Sequence, residues 1–426
     1  MKPQKPKSKS KNNFMSKIKK FFTIPEEVFE EEPSPQFERH KLFTLTRTNI
    51  FIGLFLFLLI INTLIIFDVN FIYLRQILGF LFLITVPGIV LMLCFKIRNI
   101  DFWEYLVYTV GLSISFIMFA GLIVNWTLPW LNITDKPLSL FPILICFNIF
   151  LIILGIIAYK INKDFKPRDF TLPKFDTLNN IFFTIPMFFP VLSILGAFLL
   201  NNHGPNILTM IMLGGIAVYV LLLTIFRKRW DKNIWPWAIW MIGLSILLSW
   251  WLRSWYVSGV DSNLEFLVFQ LTKNNSFWSI NNYRNAYNAM LSLTILPTIL
   301  SNLSNTENHF VFKLLFQFLF SLVPLIMFLI FRRFTKNNLV IFLGAFFFII
   351  QPYFIAIQIR QAIAFVFFSL LFLIYLEKDL SLPTHKLFFV IFGISMIVSH
   401  YSTSYIALVL LVIINSINYI SEKWKK

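Results

Sequence analysis

Charged side chains are scarce in this 426-residue sequence, where Asp, Glu, Lys and Arg make up only 13% of the residues. A soluble globular domain carries about 25%. Hydrophobic residues make up 58%, and 52 residues are Phe, which the surface of a water-soluble protein could not accommodate. The composition therefore excludes an ordinary soluble protein and indicates a chain that is largely embedded in a membrane.

Cysteine is nearly absent as well, since the sequence contains only Cys94 and Cys146. Both lie in hydrophobic runs, so we expect neither a disulfide framework nor a cysteine-rich metal site. The first hydrophobic run starts too far from Met1 to be the apolar core of a cleaved signal peptide. We therefore expect this run to act as an uncleaved membrane anchor.

Hydrophobic runs of about 20 residues recur along the chain, and each is long enough to cross the hydrocarbon core of a bilayer. Since backbone groups in lipid must form their hydrogen bonds within the protein, such runs are expected to be helices. We predict an all-α, polytopic transmembrane helical bundle of about 12 spans. The predicted spans centre on residues 48–67, 74–95, 103–124, 139–159, 180–200, 206–226, 235–255, 310–331, 338–354, 358–376, 386–399 and 403–420.

The chain divides into three parts. Residues 1–47 form a basic and polar cytoplasmic tail, which we expect to be disordered or to form a short interfacial helix. Residues 48–230 form a region of six spans, in which the largest cytoplasmic loop, residues 160–180, is expected to be a solvated connector. Residues 231–426 hold the remaining spans and one long outer loop at residues 256–309.

The distribution of basic residues supports this topology and orients it. With the N-terminus in the cytoplasm, 30 of the 37 Lys and Arg residues fall on inner segments. Membrane proteins carry such an excess on the cytoplasmic side. We therefore expect a multi-pass cell-membrane protein with both termini in the cytoplasm. The net charge of +17 then reflects topology and contact with anionic membrane lipids rather than nucleic-acid binding.

Polar residues that are unusual near a membrane fall on the outer face in this topology. Ionisable groups at membrane depth are costly and tend to be functional. Carboxylates, an imidazole and a guanidinium on one face could supply a base, a metal ligand and a cation for an anionic group. The residues are Asp261, Glu265, Arg360, Gln361, His400 and Tyr401.

Most of these residues also have a structural interpretation. Ser262 and Glu265 have the spacing of a capping box, in which Ser262 is the N-cap and Glu265 bonds back to its amide. Arg360 could extend its charge to the outer head groups. His400 and Tyr401 could belong to an interfacial belt. Asp261 precedes the expected cap, so capping explains it least and it is the strongest functional candidate.

The outer loop itself has a pattern. Apolar residues within 263–272 recur at helical spacing, which predicts an amphipathic helix at the membrane surface. Residues 287–300 are apolar but are interrupted by Pro297, which predicts a second, re-entrant segment. Together the two segments would wall a cavity at the outer leaflet, which a lipid-linked substrate could enter from the membrane.

This order of a span, an acidic motif, juxtamembrane helices and further spans resembles the GT-C superfamily of membrane glycosyltransferases. Four short stretches are also similar to an uncharacterised family of archaeal membrane proteins. They are residues 259–265 (Gly-Val-Asp-Ser-Asn-Leu-Glu), 285–297, 360–364 and 399–405. The chain departs from the superfamily because seven predicted spans precede the acidic loop, and because it lacks the soluble outer C-terminal domain that many members carry.

The resemblance implies an enzyme that takes a sugar from a polyprenyl phosphate donor and transfers it to a glycan, protein or lipid acceptor. Asp261 would be the base that accepts the proton of the acceptor. Glu265 would be a second carboxylate or a positioning group. Arg360 would stabilise the leaving phosphate, where negative charge grows in the transition state.

The same resemblance implies binding roles for further residues. His400 and Tyr401 would bind phosphate, metal or sugar, and a divalent metal is a candidate cofactor. Gln361 and Asn288 would form hydrogen bonds to sugar hydroxyls. The metal ligands themselves are left open by the sequence.

Two other functions remain open. A transporter or flippase of a polar lipid or glycan precursor needs ionisable groups near the bilayer midplane and access from both sides. The candidate residues lie at the outer ends of spans, which disfavours transport. A non-catalytic scaffold for cell-surface assembly would require none of Asp261, Arg360 and His400.

Overall fold

The computed structural model describes residues 38–98, 100–378 and 380–425, so most of the predicted basic tail lies outside the described residues. Helices dominate the described chain, as predicted. In chain order they are α1 (Arg47–Ile66), α2 (Leu74–Cys94), α3 (Phe102–Trp130), α4 (Leu140–Ile161), α5 (Thr177–Asn201), α6 (Ile207–Ile225), α7 (Ile234–Trp251), α8 (Val260–Asn275), α9 (Ile295–Ser304), α10 (Asn308–Phe331), α11 (Asn338–Ile349), α12 (Pro352–Ala356), α13 (Ile359–Tyr375), α14 (Leu382–Ile397) and α15 (Tyr401–Lys425).

Eight helices among the described residues are long and apolar enough to cross a membrane, namely α1 to α7 and α10. They coincide with the first eight predicted spans. The other four predicted spans fall on α11, α13, α14 and α15, and a total of 12 is not confirmed. One reason is that α11 has 12 residues, which rise about 18 Å against a hydrocarbon core of about 30 Å. The extended residues Ile357 and Gln358 also separate α12 from α13.

Among the described α-helices, four are capped by a side-chain oxygen of their own N-cap residue. Thr46 accepts the Asn49 N–H at the start of α1, and Asp101 accepts the Trp103 N–H at the start of α3. The same role falls to Asp176 at α5 and Asn337 at α11. Asp, Asn and Thr are favoured at this position because their oxygens satisfy amides that have no partner within the helix.

Two short β-strands depart from the all-helical prediction. β1 (Arg39–Leu45) pairs antiparallel with β2 (Arg168–Pro173). β1 lies in the tail that was predicted to be disordered or helical, so that prediction is wrong for Arg39–Leu45. β2 lies in the predicted connector, where Lys163, Asp164 and residues 166–169 are exposed, as expected of a solvated segment. The strands form because of contacts between distant segments, such as the stacking of Phe43 on Phe170 at 5.0 Å. The composition of either segment alone does not reveal that pairing.

The helices differ in how they contribute to the core. Most residues of α3, α7 and α10 are buried within the protein, whereas α1, α4, α5 and α6 are largely exposed to the surroundings. The short helix α9 lies inside, packed against α2, α3 and α8. The apolar helices on the outside therefore enclose a buried centre, and α8 joins it at the end where α7 stops.

Close approach of α2 and α3 requires glycine at position 88. A Cβ atom there would lie 1.9 Å from the carbonyl oxygen of Thr109, well inside van der Waals contact. The Gly88 N–H donates to Ser113 Oγ at 2.8 Å across the same contact. Backbones that approach so closely are typical of helix pairs in membranes, where small residues allow packing.

Candidate functional site

The helix α8 carries the acidic motif and confirms the predicted helix over residues 263–272. It starts after Gly259, whose φ of +109° is readily adopted only by glycine. Because the helix already begins at Val260, Ser262 is inside it and is not the N-cap. The capping-box interpretation is therefore wrong. The Ser262 hydroxyl instead donates to Gln358 Oε1 at 2.9 Å, in front of α13.

Both carboxylates of the motif contact one guanidinium. Asp261 and Glu265 are four residues apart, so they lie on the same face of α8. Arg360 Nη2 lies 2.9 Å from Asp261 Oδ2, and Arg360 Nη1 lies 2.5 Å from Glu265 Oε1. Arg360 is the second residue of α13. The acidic motif thus joins the start of α8 to the start of α13, across 95 residues of sequence.

Glu265 also caps α13. Its side chain is fully buried, and Oε2 accepts the Ile359 N–H at 3.1 Å. The backbone N–H of Arg360 also helps to lower the pKa of this carboxylate. The N-cap residue Gln358 makes no capping bond with its own side chain. A carboxylate from a neighbouring helix therefore satisfies the first amides of α13, where the helix dipole also favours negative charge.

Tyr287 completes the cluster and was not a candidate from the sequence. Its ring lies under Arg360, with 4.5 Å between Arg360 Cζ and the ring centroid, and its hydroxyl helps to lower the pKa of Asp261. The tyrosine is held in a 3-10 helix (Ala286–Ala289), where Asn285 Oδ1 accepts the Tyr287 N–H. An Asn followed by a turn is a recognisable signal, but it does not reveal that the next side chains reach Arg360.

The two carboxylates have different environments. Hydrogen bonding and the positive charge of Arg360 lower the pKa of Asp261, whose side chain is 40% exposed. Burial raises the pKa of Glu265 to about 7, against the lowering effects of Arg360 and of the α13 amides. Asp261 is therefore an ionised carboxylate that solvent can reach, whereas Glu265 is a buried structural partner of α13.

Arg360 is buried and bound to two carboxylates, which neither of its predicted roles included. The residue is 6% exposed, so it does not extend to the head groups. Both Nη atoms contact carboxylates, and the buried Nε has no hydrogen-bond partner. Two carboxylates already balance its charge, which leaves little attraction for a leaving phosphate. The geometry favours Arg360 as the group that positions Asp261.

His400 lies in the turn between α14 and α15 and is 4% exposed. Its Nδ1 lies 2.8 Å from Thr403 Oγ1 and accepts the Thr403 N–H at 3.3 Å, and these contacts favour the neutral tautomer with the proton on Nε2. Burial and then the positive charge of Arg360 lower the pKa of His400 to about 4, which places the imidazole in the electrostatic field of the cluster. Tyr401 begins α15, is 47% exposed, and has its ring 5.2 Å from that of His400.

The remaining predicted residues have structural surroundings. Both amide hydrogens of Asn288 are donated to carbonyl oxygens, those of Ser279 and Tyr283, each at 2.9 Å. The backbone carbonyl of Asn288 accepts the indole N–H of Trp278. Asn288 therefore braces the loop rather than presenting its amide to a sugar. Gln361 is half-buried and follows Arg360 in α13.

The predicted re-entrant segment has become part of the core. Residues 287–300 contribute to the 3-10 helix and to α9, and Pro297 is the third residue of α9. Proline is tolerated in the first turn of a helix, since the N–H it lacks has no partner within the helix there. The segment is buried against α2, α3 and α8, which contradicts its expected place in a wall open to lipid.

Few side chains in this cluster could coordinate a divalent metal ion. Among residues 38–98, 100–378 and 380–425, no group of three or more His, Cys, Asp and Glu side chains is placed to hold a metal ion. Asp261 and Glu265 are the nearest pair, but Arg360 lies between their charges. Both carboxylates are thus used for an ion pair, and the site does not fit a metal.

A second charge cluster lies at the other end of α13. Arg332 and Arg333, which follow α10, both contact Glu104 in the first turn of α3, at 2.9 and 3.0 Å. Arg332 also reaches Asp101, and Arg333 contacts Glu377, two residues beyond α13. In the predicted topology both arginines are among the 30 basic residues on inner segments. Buried ion pairs therefore hold α13 at both ends.

Comparison with known proteins gives no match: no family model, no curated protein and no solved structure is similar to this chain. The resemblance to GT-C glycosyltransferases thus rests on the order of the predicted segments. The short stretches that are similar to archaeal membrane proteins supply Asp261, Glu265 and Tyr287, which contact Arg360, and His400, whose pKa the charge of Arg360 helps to lower. What the protein does has to be argued from the chemistry of that cluster.

Proposed function

We propose that the protein is a membrane glycosyltransferase that transfers a sugar from a polyprenyl-phosphate-linked donor to an acceptor at the outer membrane face. The observation that supports this proposal is the state of Asp261. It is an ionised, partly exposed carboxylate at the start of α8, next to the end of a membrane helix, and it is fixed by Arg360 and Tyr287. A carboxylate so placed can accept a proton from a group that approaches along the membrane surface.

In the proposed reaction, an oxygen of the acceptor attacks the anomeric carbon of the sugar. The bond between that carbon and the phosphate oxygen breaks, and polyprenyl phosphate leaves with the bonding electrons. Asp261 takes the proton that the acceptor loses. Such general-base assistance contributes typically 10²–10⁴-fold. Arg360 lowers the basicity of Asp261. The orientation of Asp261 toward the acceptor therefore contributes more to the rate than the proton affinity of Asp261 does.

His400 and Tyr401 are the donor-binding groups in this proposal. The neutral His400 ring carries a proton on Nε2, which can be donated to a phosphate or sugar oxygen. The exposed Tyr401 ring beside it offers a flat apolar face to a sugar. Arg360 contributes by positioning Asp261, not by binding phosphate.

The proposal is tested with the full chain in nanodiscs and a panel of radiolabelled polyprenyl-phosphate hexoses. Wild-type protein is expected to release polyprenyl phosphate and form a labelled product, and Asp261→Asn to lose at least about 100-fold of that rate. Asp135→Asn is a matched control, because Asp135 is an exposed carboxylate in the turn after α3. Full transfer by Asp261→Asn would remove Asp261 from the mechanism.

The alternative function is transport of a polar lipid or glycan precursor, and one observation favours it. The two charge clusters hold α13 at opposite ends, as gates on the two sides of a transport path would. Substrate counterflow into sealed vesicles, lost in both Arg333→Gln and Arg360→Gln, would support transport. Glycosyl transfer without counterflow would exclude it.

A further inference from the structure

The β1–β2 sheet takes no part in the proposed transfer, yet it is joined directly to the membrane helices. Only Thr46 separates β1 from α1, and β2 lies between α4 and α5. Arg98, which follows α2, donates to Asp164, which follows α4, at 3.0 Å. The sheet therefore lies where four candidate membrane helices begin or end, at the level of the lipid head groups.

The segments that form and surround the sheet carry a large excess of positive charge. Residues 38–47, 96–98 and 160–176 contain ten Lys or Arg residues and four Asp or Glu residues. Salt bridges already occupy three of the carboxylates, those of Glu38, Asp164 and Asp169. Exposed cations of these segments that form no ion pair within the described part of the chain are Arg39, Lys160, Lys163, Lys166 and Arg168, of which Arg168 donates to the Arg98 carbonyl.

Apolar side chains are exposed beside these cations. Leu42 is 55% exposed and Phe43 is 50% exposed, and the Phe43 ring stacks on Phe170 at 5.0 Å. Aromatic rings next to cations are typical of elements that lie in the interface of a bilayer, where the rings enter the head-group layer and the cations meet phosphates.

We propose that the β1–β2 sheet binds the anionic head groups of membrane lipids. Phosphates contact Arg39, Lys163 and Lys166, and Phe43 inserts between the lipids. The charge of the sheet is complementary to an anionic leaflet, and the attachment of β1 to α1 keeps the sheet at that leaflet. The sheet therefore stays next to the lipid head groups, and no other protein is needed to bring it to the membrane.

The test uses the full chain in nanodiscs of phosphatidylcholine with increasing phosphatidylglycerol. Retained phosphatidylglycerol is counted by native mass spectrometry. Each basic residue near an anionic surface contributes about fivefold in affinity. The triple variant Arg39→Gln, Lys163→Gln, Lys166→Gln is therefore expected to bind phosphatidylglycerol about 100-fold more weakly than wild type. Phe43→Ser is expected to weaken binding of both lipids.

A matched control removes three exposed cations from the opposite membrane face of the predicted topology, by Lys136→Gln, Arg253→Gln and Arg284→Gln. This control is expected to keep the wild-type preference for phosphatidylglycerol. An unchanged preference in the sheet variant, or an equal loss in the control, would overturn the proposal. If the triple variant does not fold, the single variants Arg39→Gln and Lys163→Gln provide the test, each with an expected loss of about fivefold.

Discussion

Raising the pH is expected to lower the stability of the folded protein through Glu265, because the cost of burying its ionised carboxylate exceeds the attraction of Arg360 and of the α13 amides. Burial raises the pKa of this carboxyl to about 7, above its usual 4.5. The folded protein therefore holds the proton more tightly than the unfolded chain does. The stability that results is present below pH 4.5 and is lost as the pH rises through about 7. The difference between the two pKa values corresponds to about 3 kcal/mol.

His400 acts in the opposite direction. Its pKa falls to about 4 from the usual 6.5, mainly because the ring is buried. Stability from the neutral ring is thus present above pH 6.5 and is lost as the pH falls toward 4, again by about 3 kcal/mol. The contributions of Glu265 and His400 to the pH dependence of stability partly cancel in the wild-type protein. Glu265→Gln should leave only the acid-sensitive contribution, and His400→Gln only the alkali-sensitive one.

The assay is thermal unfolding of the full chain in nanodiscs between pH 5 and 8. Between pH 8 and 5, the midpoint of Glu265→Gln is expected to fall relative to wild type by on the order of 5 °C. Asp135→Asn is the control, because Asp135 is an exposed carboxylate in the turn after α3. Parallel pH curves for wild type and Glu265→Gln would refute the assignment of a raised pKa to this residue.

Two further predictions concern single contacts. Tyr287→Phe keeps the ring under Arg360 but removes the hydroxyl that interacts with Asp261, so transfer should fall about fivefold to tenfold while the thermal midpoint changes little. Gly88→Ala forces a Cβ against the Thr109 carbonyl and should destabilise the protein by about 3 kcal/mol or more in thermal unfolding. Gly155→Ala is the control, because a Cβ there meets open space, and its thermal midpoint should be unchanged or higher. Equal losses of stability in the two glycine variants would contradict the close approach of α2 and α3.

The sequence revealed much of the architecture because the membrane imposes a simple pattern. Long apolar runs must be helical in lipid, and eight of the predicted spans coincide with long helices. The prediction became less reliable after α10, where Pro352 and the extended residues 357–358 divide a nearly continuous apolar run into short helices. The two strands β1 and β2 were not predicted, because each depends on pairing with a segment far away in the sequence.

The candidate site was predicted in part. Asp261, Arg360 and His400 were placed on one face by charge distribution, and the structure brings the first two into contact, with His400 in the field of Arg360. The capping role predicted for Glu265 at the start of α8 is wrong, because its partners on α13 are 94 and 95 residues away and no local sequence pattern indicates them. Tyr287 was not considered as a site residue for the same reason.

The most direct test of the proposed mechanism separates the rate of transfer from donor binding in Asp261→Asn. Asp261 is proposed to act on the acceptor, whereas His400 and Tyr401 bind the donor. Steady-state kinetics with a polyprenyl-phosphate hexose that the wild-type protein uses should show kcat lowered at least about 100-fold, with the KM for the donor unchanged within experimental error. A variant that keeps the wild-type kcat would contradict the role of Asp261 and with it the proposed mechanism.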